Sequence, residues 1–394
     1  MAKRIRHYSE SMKPAHKLPL LAALEQRRGE MVRLIRQMVE QESPSFNKPA
    51  VDSFSRSLAK TFTDIGGRVT LHPAKDFGDH LQADFPASSR AGRVLLLGHI
   101  DTVWDIGTIK KMPVREHGGR LYGPGVYDMK AGVAHMVFAI DTLRKVLGTL
   151  PRPVTVLLVT DEEVKSASSR AVLTKLAKQS AAVFVLEPSA GEKGAVKTAR
   201  KGVGEYKVRV TGVASHAGLD PTAGHSAIIE LARQIERIAA FTDLKRGITV
   251  NPGIIRGGTR TNVVAAEAEV EVDARIARLP DAKRLDRAFH SLRPIDKVCR
   301  LEVSGGINRP PLERTPKVVA LFRKAQTAAR ELGFEVDEAS VGGGSDGNFT
   351  AALGIPTLDG LGAVGEGAHA INEHIVISEL PRRTALLARL IEMV

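Results

Sequence analysis

Three continuous apolar runs constrain the fold of this chain more than any other feature of its sequence. They occupy residues 94–97, 154–159 and 183–186. Such runs are typical of strands buried on both faces, as in parallel sheets covered by helices. Helical periodicity separates them, for example at residues 133–140. This alternation predicts an α/β fold with a mostly parallel sheet and helices on both faces.

The pattern changes near residue 203. Within residues 262–274, four acidic residues, Glu267, Glu269, Glu271 and Asp273, alternate with small or apolar ones, which is typical of an antiparallel strand with one buried and one solvated face. The sequence therefore predicts a discontinuous catalytic domain, residues 1–202 and 314–394, interrupted by a smaller α+β lid domain at residues 203–313. Further strands are predicted at residues 206–210 and 248–255, and helices at residues 226–241, 282–292 and 317–332.

Composition excludes several classes of protein. The single cysteine, Cys299, cannot form an intramolecular disulfide or a cysteine-ligated zinc site. No apolar stretch reaches the ~18 residues of a membrane span, and the basic N-terminal 20 residues lack a convincing cleavage site, so a cytoplasmic protein is expected.

A net charge of +13 invites a nucleic-acid interpretation, but the basic residues are scattered and Trp104 is the only tryptophan. We therefore expect a small-molecule substrate, with no nucleic acid and no membrane.

Polar side chains follow each of the three buried strands. His99, Glu163 and Glu187 come where the chain leaves the sheet, and ligands of open α/β sheets bind outside the carboxyl ends of strands. Asp128 stands before a predicted helix, and His369 lies in a glycine-rich segment. Two imidazoles and three carboxylates suit a pair of divalent ions such as Zn²⁺, with one carboxylate shared. A pair of metals can activate water and polarise a scissile carbonyl.

Two further carboxylates complete the predicted chemistry. Glu162, next to Glu163, can act as the general base for water while its neighbour binds metal. Asp101, two residues beyond His99, is placed to accept the second ring N–H of that histidine. Taken singly, each feature has an ordinary structural explanation, such as a solvated turn or a strand end. Their recurrence at strand-to-helix junctions within one predicted domain favours the functional interpretation.

These residues resemble the M20 metallopeptidases, closest to the glutamate carboxypeptidase branch. The resemblance covers nearly the whole chain from about residue 25, with all signature blocks in the expected order. The segments that carry it are HIDTV at residues 99–103, YGPGVYDMKAG at 122–132, TDEE at 160–163, LEPS at 186–189 and GAVGEGAH at 362–369.

The resemblance implies a metal site with two Zn²⁺ per subunit, Co²⁺ or Mn²⁺ being alternatives. One metal would be held by His99, Asp128 and Glu187, and the other by Asp128, Glu163 and His369. Asp128 would bridge the metals, with a cis peptide to the following residue, and Glu162 would be the general base. The inserted domain resembles the family's lid, which also commonly forms a homodimer contact.

Within the lid, the resemblance gives His216, in the segment SHAG at residues 215–218, a role in stabilising the oxyanion. It gives Asn262 and Arg275 contacts with a substrate carboxylate, for which a planar guanidinium is well suited. A surface ion pair is the alternative for Arg275. Gly344 and Ser345 match a segment whose backbone N–H groups meet the substrate, although Ser345 could instead cap the following helix.

The expected function is cleavage of an amide or peptide bond beside a free carboxylate, releasing C-terminal glutamate or a similar amino acid. The alternative of the same class is an N-acyl amino-acid deacylase of the acetylornithine or succinyl-diaminopimelate type, which the GSDGN run at residues 344–348 partly resembles. A non-catalytic binding protein would be expected to lack Glu162 or a ligand. One departure from the family is the sequence Val164-Lys165-Ser166, where a glycine usually precedes the serine.

Overall fold

Helices and strands alternate along the chain as predicted. The computed structural model describes residues 17–394, so most of the basic N-terminal segment lies outside the described residues. The α-helices of the described chain are α1 (Lys17–Gln26), α2 (Arg28–Val39), α3 (Lys48–Asp64), α4 (Thr108–Lys111), α5 (Ala131–Leu147), α6 (Arg170–Lys178), α7 (Ala227–Ala239), α8 (Leu279–His290), α9 (Pro316–Glu331), α10 (Gly347–Ala352) and α11 (Leu380–Met393).

The strands form two main sheets and two small ones. In chain order they are β1 (Arg68–His72), β2 (His80–Phe85), β3 (Val94–His99), β4 (Arg115–His117), β5 (Arg120–Tyr122), β6 (Val154–Val159), β7 (Ala182–Val185), β8 (Val196–Arg200), β9 (Gly202–Thr211), β10 (Thr249–Gly257), β11 (Glu267–Ile276), β12 (Arg300–Arg309), β13 (Glu338–Val341), β14 (Thr357–Leu358), β15 (Gly365–Glu366) and β16 (His374–Val376).

The central sheet has the strand order β1-β2-β6-β3-β7-β14. Strands β6, β3, β7 and β14 run parallel, and β1 and β2 form an antiparallel edge. Successive residues of β3 enter different cores: Leu96 packs with α5 and α11, whereas Leu97 packs with α6 and α10. Helices therefore cover both faces, which explains the continuous apolar runs and confirms the predicted fold class.

The second sheet is antiparallel, in the order β10-β11-β9-β12. Helices α7 and α8 cover one face with a hydrophobic core of its own, which includes Tyr206, Val208, Val270 and Phe289. The elements of this sheet lie between Gly202 and Arg309. The domain boundaries at residues 203 and 313 remain a prediction, and we use the word lid for this antiparallel unit.

The predicted alternating strand begins later than expected. Residues 262–266 precede β11, because their backbone bonds to a neighbouring loop and not to the sheet. The N–H of Ala217 donates to the carbonyl of Asn262, and His216 pairs with Val263. The pattern at residues 267–274 is borne out: Ala268, Val270, Val272 and Ala274 are buried.

No helix within residues 17–394 combines the length and apolarity that crossing a membrane requires. The predicted cytoplasmic location stays a prediction.

Candidate active site and metal centre

The carboxyl ends of the parallel strands carry three of the predicted ligands. His99 is the last residue of β3, Glu163 lies in the short helix Glu162–Val164 after β6, and Glu187 follows β7. Asp128 precedes α5 in a stretch with a cis peptide to Met129. Adjacent parallel strands end at one edge of the sheet, so these side chains are brought together although they are far apart in sequence.

Asp128 faces both histidines. Its Oδ1 lies 3.1 Å from Nε2 of His99, and its Oδ2 lies 3.4 Å from Nε2 of His369. Nε2 of His99 is also 3.6 Å from Oε1 of Glu187, and Nε2 of His369 is 3.3 Å from Oε1 of Glu163. The five predicted ligands thus form two adjoining groups that share one carboxylate.

The charges of these groups are strongly coupled. Burial opposes protonation of His99, but the carboxylates of Asp101 and Asp128 outweigh it and raise the histidine's pKa well above its usual value. The adjacent carboxylates of Asp128 and Glu163 raise the pKa of His369 to about 10. Burial, followed by the charge of Asp128, raises the pKa of Glu187 to about 7. The carboxylates therefore need nearby positive charge to stay ionised.

The donor set fits divalent cations. Oε1 of Glu163 is buried and makes no hydrogen bond, although His369 is close by. One ligand atom from each of His99, Asp128 and Glu163 lies within 4.8 Å of the others, a trio that draws on both groups. Imidazole and carboxylate ligands suit Zn²⁺ and related metals. A buried carboxylate oxygen normally has a hydrogen-bond partner, so one without such a partner is suited to binding a cation.

Asp101 organises the turn that carries the two glutamates. Its Oδ1 accepts from the N–H of Glu162 at 3.3 Å, and its Oδ2 accepts from the N–H of Glu163 at 3.2 Å and from the hydroxyl of Ser45 at 2.7 Å. The nearest partner of His99 Nδ1 is the backbone oxygen of Asp101 at 3.0 Å, with the carboxylate at 3.5 Å. The residue thus orients the histidine mainly through its carbonyl.

Arg309, at the end of β12, was not singled out by the sequence motifs. Its Nη2 donates to Oε1 of Glu162 at 2.9 Å and to the same residue's backbone oxygen at 2.7 Å. Burial raises the pKa of Glu162 well above its usual value, and the charge of Arg309 is the strongest opposing influence. The chain has 57 lysines and arginines. The only local feature that distinguishes Arg309 from the others is the pair of prolines that follows it.

Arg200 is a second buried cation that the sequence analysis missed. Its Nη2 donates to Oε2 of Glu187 at 3.3 Å, and its Nε and Nη2 hold Asp359 at 2.8 and 2.9 Å. Its Nη1 donates to the carbonyls of Gly343 and Gly344, each at 3.2 Å. This leaves Oε1 of Glu187 free to face His99 and links the glycine-rich segment to Glu187 through Arg200.

Comparison with known proteins agrees with this geometry. Residues 95–393 match the model of peptidase family M20/M25/M40. The chain belongs to the M20 peptidase family. It is therefore a metal-dependent hydrolase, as the motifs predicted.

Two related sequences and one solved structure illustrate the similarity. Carboxypeptidase G2 of Pseudomonas sp. (strain RS-16) is 28% identical over 370 residues, covering 92% of this chain and 88% of that protein. Acetylornithine deacetylase of Klebsiella pneumoniae (strain 342) is 31% identical over 268 residues, covering 62% and 67%. The Bacillus subtilis YXEP protein, described as a dinuclear metal-binding peptidase from the M20 family, has a TM-score of 0.70 at 14% identity and covers 94% and 98%. This last likeness shows the fold alone.

The lid residues expected to meet the substrate of this M20 enzyme lie in two places. Arg275 is paired with Val203, which is paired in turn with Arg309, so Arg275 lies at the end of the lid nearest Glu162. His216 lies beyond the opposite end of β11, together with Asn262. At ~3.3 Å per residue, the eight steps from Glu267 to Arg275 alone span roughly 26 Å. One chain therefore does not bring the two groups together.

Arg275 is engaged in an ion pair. Its Nε and Nη2 donate to the two carboxylate oxygens of Asp273 at 2.9 and 2.8 Å. Binding a substrate carboxylate would require the guanidinium to give up these bonds. His216 is exposed, and its Nδ1 accepts from the N–H groups of Gly218 and Leu219 at 3.2 and 3.1 Å. Its Nε2 edge therefore remains available to a ligand.

The predicted glycine-rich contact has a mixed outcome. Gly344 lies beside Arg309, since a Cβ added there would stand 3.0 Å from the arginine's Cδ. Ser345 is fully buried; its hydroxyl donates to Asp359 at 2.6 Å and accepts from the N–H of Gly347 at 3.1 Å, where α10 begins. Its side chain therefore serves the scaffold and the helix start.

The departure after the glutamate pair is accommodated by backbone conformation. Lys165 and Ser166 both have positive φ, 85° and 54°, in the region that glycine adopts most easily. The hydroxyl of Ser166 donates to Oδ1 of Asp346 and accepts from Arg309 at 3.0 Å. These bonds hold the turn in place of the glycine that the family usually has there.

Proposed function

We propose that the chain hydrolyses an amide or peptide bond adjacent to a free carboxylate, releasing a C-terminal glutamate or a similar amino acid. The observation that carries the proposal is the placement of Asp128 between two histidine–carboxylate groups, with Glu162 on the adjoining turn. The 28% identity with carboxypeptidase G2 over 92% of the chain supports this substrate class over others in the family.

The ligand residues are proposed to hold two divalent cations, Zn²⁺ in the first instance and Co²⁺ or Mn²⁺ as alternatives. His99 and Glu187 would hold one cation and Glu163 and His369 the other, with Asp128 shared. When bound, such a pair lowers the pKa of water and polarises a carbonyl.

The protein's own groups handle the proton and the substrate. Glu162 is proposed to accept a proton from the attacking water at its carboxylate and to pass it to the leaving nitrogen. Arg309 holds the backbone and one carboxylate oxygen of Glu162, so the base stays aimed at one point. Arg275 and Asn262 are proposed to bind the substrate carboxylate, and His216 to stabilise the oxyanion; Gly344 is proposed to contribute its backbone N–H.

A homodimer formed through the lid is part of the proposal. Strand β10 pairs only with β11 and so leaves one backbone edge unpaired in the described chain. Ile254 and Ile255 on this edge are 47% and 59% exposed, and Ile228 and Ile229 of α7 are 43% and 56% exposed. An exposed apolar edge strand is a site for pairing with another chain. A second copy would also supply His216 and Asn262, which their own chain keeps far from Glu162.

Metal analysis coupled to a substrate panel tests the proposal. Purified protein is expected to contain two equivalents of metal, to lose activity on exhaustive chelation, and to regain it with Zn²⁺, Co²⁺ or Mn²⁺. Peptides and N-acyl compounds ending in free glutamate should be cleaved, and the matching C-terminal amides should not. Full turnover after chelation would contradict the metal chemistry.

An N-acyl amino-acid deacylase is the second candidate, because acetylornithine deacetylase is 31% identical over 62% of the chain. Faster hydrolysis of acetylornithine or succinyl-diaminopimelate than of glutamate-terminated peptides would favour it.

A further inference from the structure

A buried carboxylate that the motifs did not assign lies directly behind the loop that carries Asp128. Glu373 is fully buried immediately before β16. Its Oε1 accepts from the N–H groups of Tyr127 at 2.9 Å and Asp128 at 3.0 Å. Its Oε2 accepts from the N–H of Gly125 and the indole N–H of Trp104, both at 2.9 Å. Four donors therefore converge on one side chain from two separate loops.

The backbone of Glu373 is fixed as firmly as its carboxylate. Strand β16 pairs with β5, with Ile375 opposite Leu121, just before the Asp128 loop begins. The carbonyl of Glu373 also accepts from the N–H of Gly123 at 3.3 Å. The same residue thus holds the loop at its start through the main chain and at its end through the side chain.

The need for a carboxylate at this position follows from the donors. Each oxygen of Glu373 accepts two hydrogen bonds, and every partner is an N–H group with no acceptor capacity. Replacing one oxygen by an amide NH₂ would place donor against donor at two of the four contacts. A buried donor left without a partner is costly, so the loop would shift to relieve it.

We propose that Glu373 is a positioning residue that sets the carboxylate of Asp128 between the two metal-ligand groups, with Trp104 as the side-chain member of the same clamp. The inference rests on the proposed function, because it takes Asp128 as the ligand shared by both cations. Glu373 touches neither substrate nor the reacting atoms; it acts by fixing the backbone N–H of Asp128 and the turn before it. Partners that orient metal ligands in this way typically change metal affinity or activity by about 10- to 100-fold when replaced.

The test is the Zn²⁺ affinity of the full-length Glu373→Gln variant, measured by competition with a chelating indicator. We expect it to bind both equivalents of Zn²⁺ about 10- to 100-fold more weakly than the wild type. Its activity at limiting Zn²⁺ should fall accordingly, and excess Zn²⁺ should restore most of it. A purely structural role would lower thermal stability without changing the Zn²⁺ affinity of the folded protein.

Matched variants keep the test decisive. Glu366→Gln changes an exposed glutamate on β15, opposite His374 of β16, and should leave Zn²⁺ affinity unchanged. Trp104→Phe removes one of the four donors and should weaken Zn²⁺ binding less than Glu373→Gln does. Since Trp104 is the only tryptophan, its emission should also change in Glu373→Gln and not in Glu366→Gln.

Three outcomes separate the possibilities. Wild-type Zn²⁺ affinity in folded Glu373→Gln would overturn the inference and leave the proposed function standing. If that variant does not fold, unchanged affinity in Trp104→Phe would overturn it. Failure of the wild-type protein itself to bind two equivalents of metal would overturn the proposed function instead.

Discussion

The carboxyl edge of the central sheet and the lid sheet place their functional residues in opposite ways. At the central sheet the proposed ligand His99 and the proposed base Glu162 have side chains only 2% and 12% exposed, and each is held by buried partners. In the lid, His216 is exposed in a loop, and the outer face of the sheet carries exposed ion pairs such as Arg209–Glu269 at 3.0 Å.

The difference indicates that one chain can assemble the proposed metal site at the central sheet but not the whole set of proposed lid residues. Strands buried on both faces have a single register and end at one edge, so their terminal side chains must meet. The lid offers its residues from two ends of a long strand, and only the Arg275 end adjoins Arg309 and the turn at residues 162–164, which we call the catalytic turn because it carries the proposed base. We therefore expect the central site to be self-sufficient in metal binding and the lid's far end to act on a neighbouring copy.

The sharpest test of the self-sufficient half is Glu162→Gln. The amide cannot take a proton from water, so turnover should fall by about 10²- to 10⁴-fold. Metal content should stay at the wild-type level, because Glu162 is not among the proposed ligands. Steady-state kinetics and metal analysis on the same preparation check both statements. The matched change Glu192→Gln, on an exposed loop after Glu187, should leave both unchanged; wild-type turnover in Glu162→Gln would show that the base is misassigned.

The lid half is tested by pairing two inactive chains. Loss of one oxyanion donor in His216→Ala should lower kcat by about 10²- to 10³-fold. If His216 serves the partner's site, a mixed dimer of His216→Ala and Glu162→Gln chains regains one working site, because each chain supplies what the other lacks. Co-expression with two different affinity tags isolates the mixed species for assay. A mixed dimer as inactive as its parents would place His216 in its own chain's site or outside catalysis.

Most of the fold could be predicted from local pattern. The apolar runs became β3, β6 and β7 within one or two residues, because burial on both faces leaves a continuous apolar signal. The convergence of the proposed ligands could be predicted for the same reason, since polar residues directly after such strands are conspicuous and meet at one edge of the sheet. The start of β11 was missed because residues 262–266 are mostly apolar and contain no glycine or proline to mark a break before the alternating segment. Backbone hydrogen bonds from this stretch go instead to the His216 loop.

The supporting residues of the site were not predictable in the same way. Arg309, Arg200 and Glu373 act through contacts separated from their partners by 147, 13 and 245 residues. Each has the same residue type as many solvated surface charges, so nothing local distinguishes it. Only the tertiary structure shows that these charges are buried and which carboxylate or loop each one holds.

Arg309 joins the two regions, and its replacement measures how far the catalytic turn depends on the lid. Arg309→Met removes the bonds to Glu162, and misplacement of the base can cost up to about 10²-fold in kcat. The cation lowers the pKa of a base whose burial raises it, so its removal raises that pKa further. The base is then protonated up to a higher pH, and the acidic limb of the kcat profile should move upward. Arg309→Lys keeps the charge and should shift the limb less; an unmoved limb in Arg309→Met would contradict the assigned coupling.

The smallest expected effect concerns the lid core itself. The hydroxyl of Tyr206 donates to Asp286 at 3.0 Å, while its ring stacks on Phe289 with centroids 3.8 Å apart. Tyr206→Phe keeps the stack and removes one hydrogen bond, so the free energy of unfolding should fall by only about 0.5–1.5 kcal/mol. Phe289→Ala, which empties the same stack, should cost about 3–5 kcal/mol. Because this core lies on the helix-covered face of the lid, kcat/KM of Tyr206→Phe should equal that of the wild type. Denaturant unfolding of both variants checks the stabilities, and a steady-state assay of Tyr206→Phe checks its activity. A fall in kcat/KM without loss of stability would show that the lid core is coupled to the catalytic turn after all.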